Sequence, residues 1–204
     1  MSNHQKILRM VFMAMMIGIG VVISPILRIE GMCPMAHLIN IVCAVMLGPL
    51  EAFTCAFIIG IIRMVVMGIP PLALTGAIFG ATLSGLLYRM TRGKLIGAVL
   101  GEVIGTGIIG AIVSYPVMAF LVGRSGLTWM FYVPSFIMGT LIGGSIAFIF
   151  LTALKRNNTL TEIQKKLGAR TYDNTQACSG AAGNEAVCEE IQSTDTLYHQ
   201  SHIH

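Results

Sequence analysis

Two charged side chains interrupt apolar stretches of the kind that cross lipid bilayers. Arg63 lies within the apolar run 56–68, and Glu102 lies within the run 95–113. A charge inside a bilayer costs a few kcal/mol, so such side chains normally face the interior of a helix bundle or a polar cavity. The two residues therefore indicate a ligand or transport pocket. The alternatives are a buried structural pair and an Arg63 side chain that reaches the membrane surface.

Further polar side chains are spaced so that they can join this site. His37 and Asn40 are three residues apart, which places them on one face of a helix. Glu102 begins a row of four-residue period that continues through Thr106 and ends beside Tyr115. Lipid cannot satisfy the donors of Asn40, which makes it a binding candidate. His37 is equally compatible with hydrogen bonding at the membrane interface.

The composition predicts an all-α membrane protein. The chain is 55% hydrophobic and only 11% charged, whereas about a quarter of a soluble domain is charged. Most of its apolar segments approach the ~20 residues that a membrane-spanning helix needs, and the second is shorter. These segments predict a bundle of six transmembrane helices, at about residues 7–27, 35–48, 50–68, 72–89, 95–122 and 131–154. Pro116 is expected to kink or end the regular part of the fifth.

Basic residues predict the orientation of this bundle. Cytoplasmic loops carry the excess of Lys and Arg, and an even number of spans puts both termini on one side. The basic residues that place both termini in the cytoplasm are Lys6, Arg9, Arg89, Arg92, Lys94, Lys155 and Arg156, against only Arg28 and Arg124 in the alternate connections. Trp129 and Tyr132 begin the sixth segment, where an interfacial aromatic belt is expected. The predicted domains are a membrane body, 1–154, and a polar, disordered cytoplasmic tail, 155–204.

Small residues recur at every fourth position of several segments and predict close helix packing. The three clearest rows are Gly76, Gly80 and Ser84, then Gly97, Gly101 and Gly105, then Gly139, Gly143 and Ala147. Such rows let helix backbones approach one another in lipid. The first segment carries Ala14 and Gly18, for which internal packing and docking onto a partner protein are equally open. In the tail, residues 162–170 are compatible with a short amphipathic helix or a plain linker.

The sequence lacks the motifs of energy coupling and covalent chemistry. The run GEVIGTG at 101–107 has no Gly-Lys-Ser/Thr ending, so it is not a phosphate-binding loop. Cys33, Cys43 and Cys55 share no metal-ligand spacing. We therefore predict no cofactor, no metal, no nucleic-acid partner and no enzymatic activity. If the protein moves a solute uphill, another protein must hydrolyse ATP for it.

Several sequence blocks together resemble the ThiW family of substrate-binding S components of energy-coupling factor (ECF) transporters. The blocks occur in the expected order and span nearly all of residues 7–154. They are PMAHLIN (34–40), MLGP (46–49), IIR (61–63), GAIFGATLSGLLYR (76–89), EVIGTGIIG (102–110) and SYP (114–116). One block departs from the family pattern, because ALTG stands at 73–76 where the family typically has Ala-Phe-Pro-Gly.

The resemblance implies six helices, an outward-facing substrate pocket, a membrane partner called the T component and two ATPase subunits. It also implies a thiazole substrate, the hydroxyethyl-methylthiazole precursor of thiamine. The protein would lie in the plasma membrane of a bacterium or archaeon. On that basis Asn40 would hydrogen-bond the ring nitrogen or the hydroxyl, and Glu102 or Thr106 would complete the deeper wall. Arg63 would order the pocket by pairing with Glu102 or with carbonyl groups at a helix end. His37 and Tyr115 complete the predicted substrate site.

Other functions remain compatible with the sequence. The same fold could serve another vitamin or vitamin precursor, particularly because of the departure at 73–76. An intramembrane enzyme would use His37 and Glu102 as acid–base groups. A structural assembly subunit would use the glycine rows but would not require Arg63 or Glu102. Binding of a ligand separates the first two functions from the last.

Overall fold

The protein was analysed as a computed structural model, which describes residues 3–26, 33–123, 128–169 and 171. The described residues form helices and no strands, which confirms the all-α prediction. The helices are α1 (Asn3–Ile23), α2 (Pro34–Met46), α3 (Pro49–Met67), α4 (Leu72–Met90), α5 (Leu95–Glu102), a π-helical segment (Val103–Gly110), α6 (Ala111–Leu121), α7 (Val133–Arg156) and α8 (Thr159–Lys166). Arg28 and Arg124, the basic residues of the alternate connections, lie outside the described residues.

Five apolar helical stretches are long enough to cross a membrane. They are Asn3–Ile23, Pro49–Met67, Leu72–Met90, Leu95–Phe120 and Val133–Arg156. The fourth of these runs without a break through α5, the π-helical segment and α6. Pro116 lies inside α6, and the helix continues past it to Leu121, so Pro116 does not end the helix. The protein is therefore a multi-pass membrane protein, while the sixth span and the cytoplasmic termini stay predictions.

Helix α2 is short because it is the central helix of the bundle. It has 13 residues, and 11 of them are buried, from Pro34 at its start to Met46 at its end. It packs against α1, α3, α4, α5 and α7. Pro34 and Pro49 each occupy the first turn of their helix, where a missing N–H is tolerated. Gly48, between α2 and α3, has φ +110°, a conformation that L side chains rarely adopt.

The predicted glycine rows hold α4 against the long helix that begins at α5. A Cβ atom added to Gly101 would lie 2.5 Å from the Leu83 carbonyl oxygen. One added to Gly105 would lie 2.5 Å from the Phe79 carbonyl oxygen. Both distances are too short for any side chain, so the two backbones are in direct contact. This contact is the packing that small residues allow in lipid.

Helix α1 leaves Ala14 and Gly18 without packing contacts inside the bundle. It contacts α2 and α3, and Arg9 ties it to α3 through an ion pair with Glu51, with Nη2 and Oε1 3.1 Å apart. Ala14 and Gly18 are both exposed, and no atom lies within 4 Å of a Cβ added to Gly18. These two residues therefore do not serve internal packing.

The first residues of the predicted tail are helical and packed on the bundle. Helix α8 buries Leu160 and Gln164, and Leu167 is buried just beyond it. Gln164 Nε2 donates to the Val45 carbonyl oxygen at 2.8 Å and lies 3.3 Å from the Tyr88 hydroxyl. Residues 172–204, including Cys178 and Cys188, lie outside the described residues, so the predicted disorder of the tail stays a prediction.

Candidate ligand-binding cavity

A cavity of about 330 Å³ opens between α2, α3, α4, the π-helical segment and α7. Part of its wall is aliphatic or aromatic, from Ile69, Leu72, Met118, Phe131 and Phe136. Its polar lining comes from His37, Asn40, Arg63, Thr106, Tyr132 and Ser135. Its volume and its mixture of apolar wall and few polar groups are typical of a site for a small molecule.

Glu102 lies at the junction of α5 and the π-helical segment and organises the polar wall. Its side chain is fully buried, and its oxygen Oε1 is 2.9 Å from His37 Nδ1. The same oxygen accepts hydrogen bonds from Asn40 Nδ2 at 3.1 Å and from Thr106 Oγ1 at 3.0 Å. Glu102 itself is not among the residues that line the cavity. It therefore fixes the orientation of three side chains that do line it.

Thr106 connects this cluster to α4. Its hydroxyl lies 3.0 Å from the Gly76 carbonyl oxygen as well as 3.0 Å from Glu102 Oε1. A hydroxyl has one hydrogen, so only one of these oxygens accepts it at a time. The π-helical segment brings Thr106 to this position, and π-helical turns are frequent at functional sites.

Gly80 makes room for the carboxylate. A Cβ atom added at this position would lie 2.7 Å from Glu102 Oε2, and it would overlap the Thr106 hydroxyl. Oε2 has no hydrogen-bond partner among the described residues. The sequence analysis identified Gly80 only as a packing residue. The sequence does indicate this role in one way: Gly80 lies one helical turn from Gly76, in a row of small residues that faces the helix of Glu102.

Arg63 was predicted to pair with Glu102 or with carbonyl groups at a helix end, and among the described residues its side chain makes neither contact. His37, which α2 places closer, takes the position beside Glu102, and among the described residues no carboxylate lies within salt-bridge distance of the guanidinium. Arg63 is only 2% exposed and lines the cavity. Its Nη2 donates to Cys33 Sγ at 3.2 Å, and its Nε has no partner within the described part of the chain.

The two tyrosines that flank the site differ in their position. Tyr115 is not among the lining residues, and its ring packs on that of Trp129 with centroids 4.4 Å apart. Tyr132 lines the cavity, and its buried hydroxyl has no hydrogen-bond partner in the described ranges. The sequence analysis assigned Tyr132 to an aromatic belt. Its exposure to the cavity depends on the fold just before α7 and has no local sequence signal.

The two residues that depart from the family pattern at 73–76, Leu74 and Thr75, do not line the cavity. Leu74 packs against α3 at Gly60, where an added Cβ would lie 2.5 Å from Leu74 Cδ1. The Thr75 hydroxyl is 2.6 Å from Ser114 Oγ. Ala73 and Gly76 line the cavity, whereas Leu74 and Thr75 do not. The two substituted positions therefore contact neighbouring helices.

The apolar helices and the cavity that they enclose define a multi-pass membrane protein with a site for a small molecule. The family model described as the thiamine-precursor transporter protein (ThiW) matches residues 10–157, and the chain belongs to this family. The family is one of transporters and not of enzymes. No curated protein and no solved structure matches the chain.

Proposed function

We propose that the protein is the substrate-binding S component of an ECF transporter and that it captures the hydroxyethylthiazole precursor of thiamine. The observation that carries this proposal is the cavity, in which Asn40 and Thr106 are held in place by a fully buried carboxylate. A thiamine-precursor transporter must bind a small heterocycle with few polar atoms. A largely pre-formed pocket with a few oriented polar groups suits such a ligand.

The proposed pose follows from the lining of the cavity. The thiazole ring packs against Phe136 and Met118, which supply apolar surface. Asn40 uses one amide hydrogen for Glu102, so its second hydrogen and its carbonyl oxygen serve the ligand. His37 contributes Nε2, because Nδ1 is engaged by Glu102. In this pose Tyr115 acts indirectly, by supporting Trp129 beside the pocket.

The proposed partners are a T component and two ATPase subunits, in the plasma membrane of a bacterium or archaeon. The exposed small-residue face of α1, at Ala14 and Gly18, is the docking surface in this proposal. A helix of a partner can approach this face closely, because Gly18 has open space around it. The chain itself carries no phosphate-binding loop, so the energy would come from the partners.

Titration of the purified protein tests the proposed substrate. The ligands are hydroxyethyl-methylthiazole, thiamine and the hydroxymethyl-pyrimidine precursor, each measured by calorimetry in detergent. Saturable 1:1 binding of the thiazole alone is expected. The Asn40→Ala variant should weaken it about tenfold, because a hydrogen bond in a dry site is lost. Ser145→Ala, an exposed position on α7, is the control. Binding of the pyrimidine and not the thiazole would overturn the proposed substrate.

A further inference from the structure

The cavity contains one buried cation whose charge no described residue neutralises. Only 2% of the Arg63 surface is exposed. Among the described residues, its one side-chain hydrogen bond goes to the Cys33 sulfur. A thiol is a weak acceptor. A buried charge is normally paired or fully hydrogen-bonded, since its desolvation is otherwise uncompensated. The Arg63 guanidinium, which lines the cavity, thus has N–H donors without an acceptor among the described residues.

The buried carboxylate of Glu102, which lies behind the cavity lining, does not neutralise the Arg63 guanidinium. Glu102 Oε1 is occupied by His37, Asn40 and Thr106. Oε2 faces Gly80 on α4 and not the guanidinium of Arg63. The two charges are therefore held apart, with the negative one surrounded by donors and the positive one open to the cavity.

A second unpaired donor lines the same cavity. The Tyr132 hydroxyl is buried and has no partner among the described residues, although buried hydroxyl groups are nearly always hydrogen-bonded. Arg63 comes from α3 and Tyr132 from the turn before α7, so two separate elements each contribute to the cavity lining a residue with a buried, unpartnered polar atom. This coincidence points to an acceptor that the ligand supplies.

We infer that Arg63 and Tyr132 form an oxyanion subsite, through which a heterocycle carrying a phosphate monoester or a carboxylate binds more tightly than the free alcohol does. This inference rests on the proposed function and specifies the chemical class of its substrate. Arginine binds carboxylate and phosphate through two parallel N–H donors, and its Nε is one of those that are free here. The heterocyclic ring remains against Phe136, and Asn40 serves the ring nitrogen.

The test is a set of calorimetric titrations that varies the ring and the polar group independently. The probes are hydroxyethyl-methylthiazole, its phosphate monoester, methylthiazole carboxylate, hydroxymethyl-pyrimidine and the pyrimidine phosphate. We expect the thiazole phosphate or the thiazole carboxylate to bind at least about tenfold more tightly than the alcohol. Arg63→Gln should remove this preference, because it should weaken binding of the anionic ligand far more than binding of the alcohol. Tyr132→Phe should weaken the anion about fivefold.

Three further variants and readouts separate a ligand subsite from a structural role. Arg89→Gln removes an exposed cation near the end of α4, outside the cavity, and should leave every affinity unchanged. Arg63→Lys should retain part of the preference, because it keeps the charge and loses the paired donors. Without ligand, Arg63→Gln should not lower the melting temperature, since the guanidinium has no carboxylate partner to lose.

The outcomes distinguish the subsite from the substrate. Equal or tighter binding of the thiazole alcohol would overturn the oxyanion subsite and leave the thiazole transporter intact. Preference for the pyrimidine phosphate, lost in Arg63→Gln, would keep the subsite and overturn the thiazole substrate. A uniform loss of all affinities in Arg63→Gln, together with a lower melting temperature, would make Arg63 a structural residue and overturn the inference.

Discussion

The side chain of Glu102 holds the polar wall of the cavity together through a single oxygen. Oε1 lies within hydrogen-bond distance of His37 Nδ1, Asn40 Nδ2 and Thr106 Oγ1, while Oε2 stays unpaired opposite Gly80. Asn40 and His37 belong to the short central helix α2, and Thr106 belongs to the π-helical segment. The carboxylate thus links two elements that are far apart in the sequence, and the shape of the site depends on it.

Thr106→Val tests this cluster with a nearly isosteric change. Valine cannot donate to Glu102 Oε1 or to the Gly76 carbonyl oxygen, so whichever of these acceptors takes the Thr106 hydrogen loses it. We expect the free energy of unfolding to fall by about 1–3 kcal/mol and ligand affinity to fall at least about fivefold. Thermal melts and titrations measure both effects. Thr82→Val is the matched control, because the Thr82 hydroxyl bonds only the Ile78 carbonyl oxygen of its own helix. Equal effects in the two variants would contradict the role of Thr106.

The residues of this site were predictable from the sequence, but their pairing was not. Arg63, Glu102, Asn40 and His37 were identified because charge and amide groups are unfavourable in lipid. That rule says which side chains must find partners, not which partner each one finds. The pairing of Glu102 with His37 follows from the way α2 lies against α5, and this is a tertiary contact. Neither predicted partner of Arg63, Glu102 or a carbonyl group at a helix end, is the one observed, because its Nη2 donates to the Cys33 sulfur.

At the scale of the elements, the glycine rows place α4 directly beside the carboxylate. Gly80→Ala should therefore disturb both packing and the site, because the new methyl group would meet Glu102 Oε2 and the Thr106 hydroxyl. We expect a loss of about 1–3 kcal/mol in stability, as overpacking typically costs, and loss of measurable ligand binding. Gly18→Ala is the control, since its added Cβ has open space and alanine favours the helix. A stable Gly80→Ala variant with normal affinity would show that the contact is not needed.

Helix α8 is an element that the sequence left open between a linker and an amphipathic helix. Its buried residues face the end of α2, and Gln164 Nε2 satisfies the Val45 carbonyl oxygen near the last turn of that helix. Local spacing in residues 159–166 cannot show this, because the partner lies 119 residues away along the chain. The rows of small residues on α4 and α5 do make the close helix contact that their spacing allows, whereas Ala14 and Gly18 on α1, with the same spacing, do not.

Gln164→Ala measures what this docking contributes. We expect the free energy of unfolding to fall by about 1–2 kcal/mol, because a buried carbonyl oxygen loses its donor. Ligand affinity should stay within about twofold, since no residue of α8 lines the cavity. Lys166→Ala, on the exposed side of the same helix, is the control for thermal melts. A large loss of affinity with normal stability would instead connect α8 to the site.

At the scale of the whole molecule, the proposed ligand site and the proposed docking face lie on different elements. The cavity lies between α2, α3, α4 and α7, whereas the exposed Ala14 and Gly18 lie on α1, which supplies no lining residue. The proposed functions of these two regions can therefore be separated by substitution. A membrane protein that captures substrate and relies on partners for energy requires both.

Gly18→Leu tests the docking surface. The added side chain would fill the space that a partner helix needs, so co-purification with the T component and ATPases should fall at least about tenfold. Thiazole binding by the isolated protein should be unchanged. Ile19→Phe, an exposed position on another side of α1, should retain assembly. Normal assembly of Gly18→Leu would exclude this face as the docking surface.

The most direct test of the account is uptake of labelled hydroxyethyl-methylthiazole by cells that contain the protein, a T component and both ATPases. We expect accumulation that needs ATP hydrolysis and every subunit. We also expect it to be lost in Asn40→Ala and retained in Ser145→Ala at equal protein levels. Accumulation that is independent of the ATPases, or no accumulation by a fully assembled complex, would contradict the proposal that this chain is the thiazole-binding component of such a transporter.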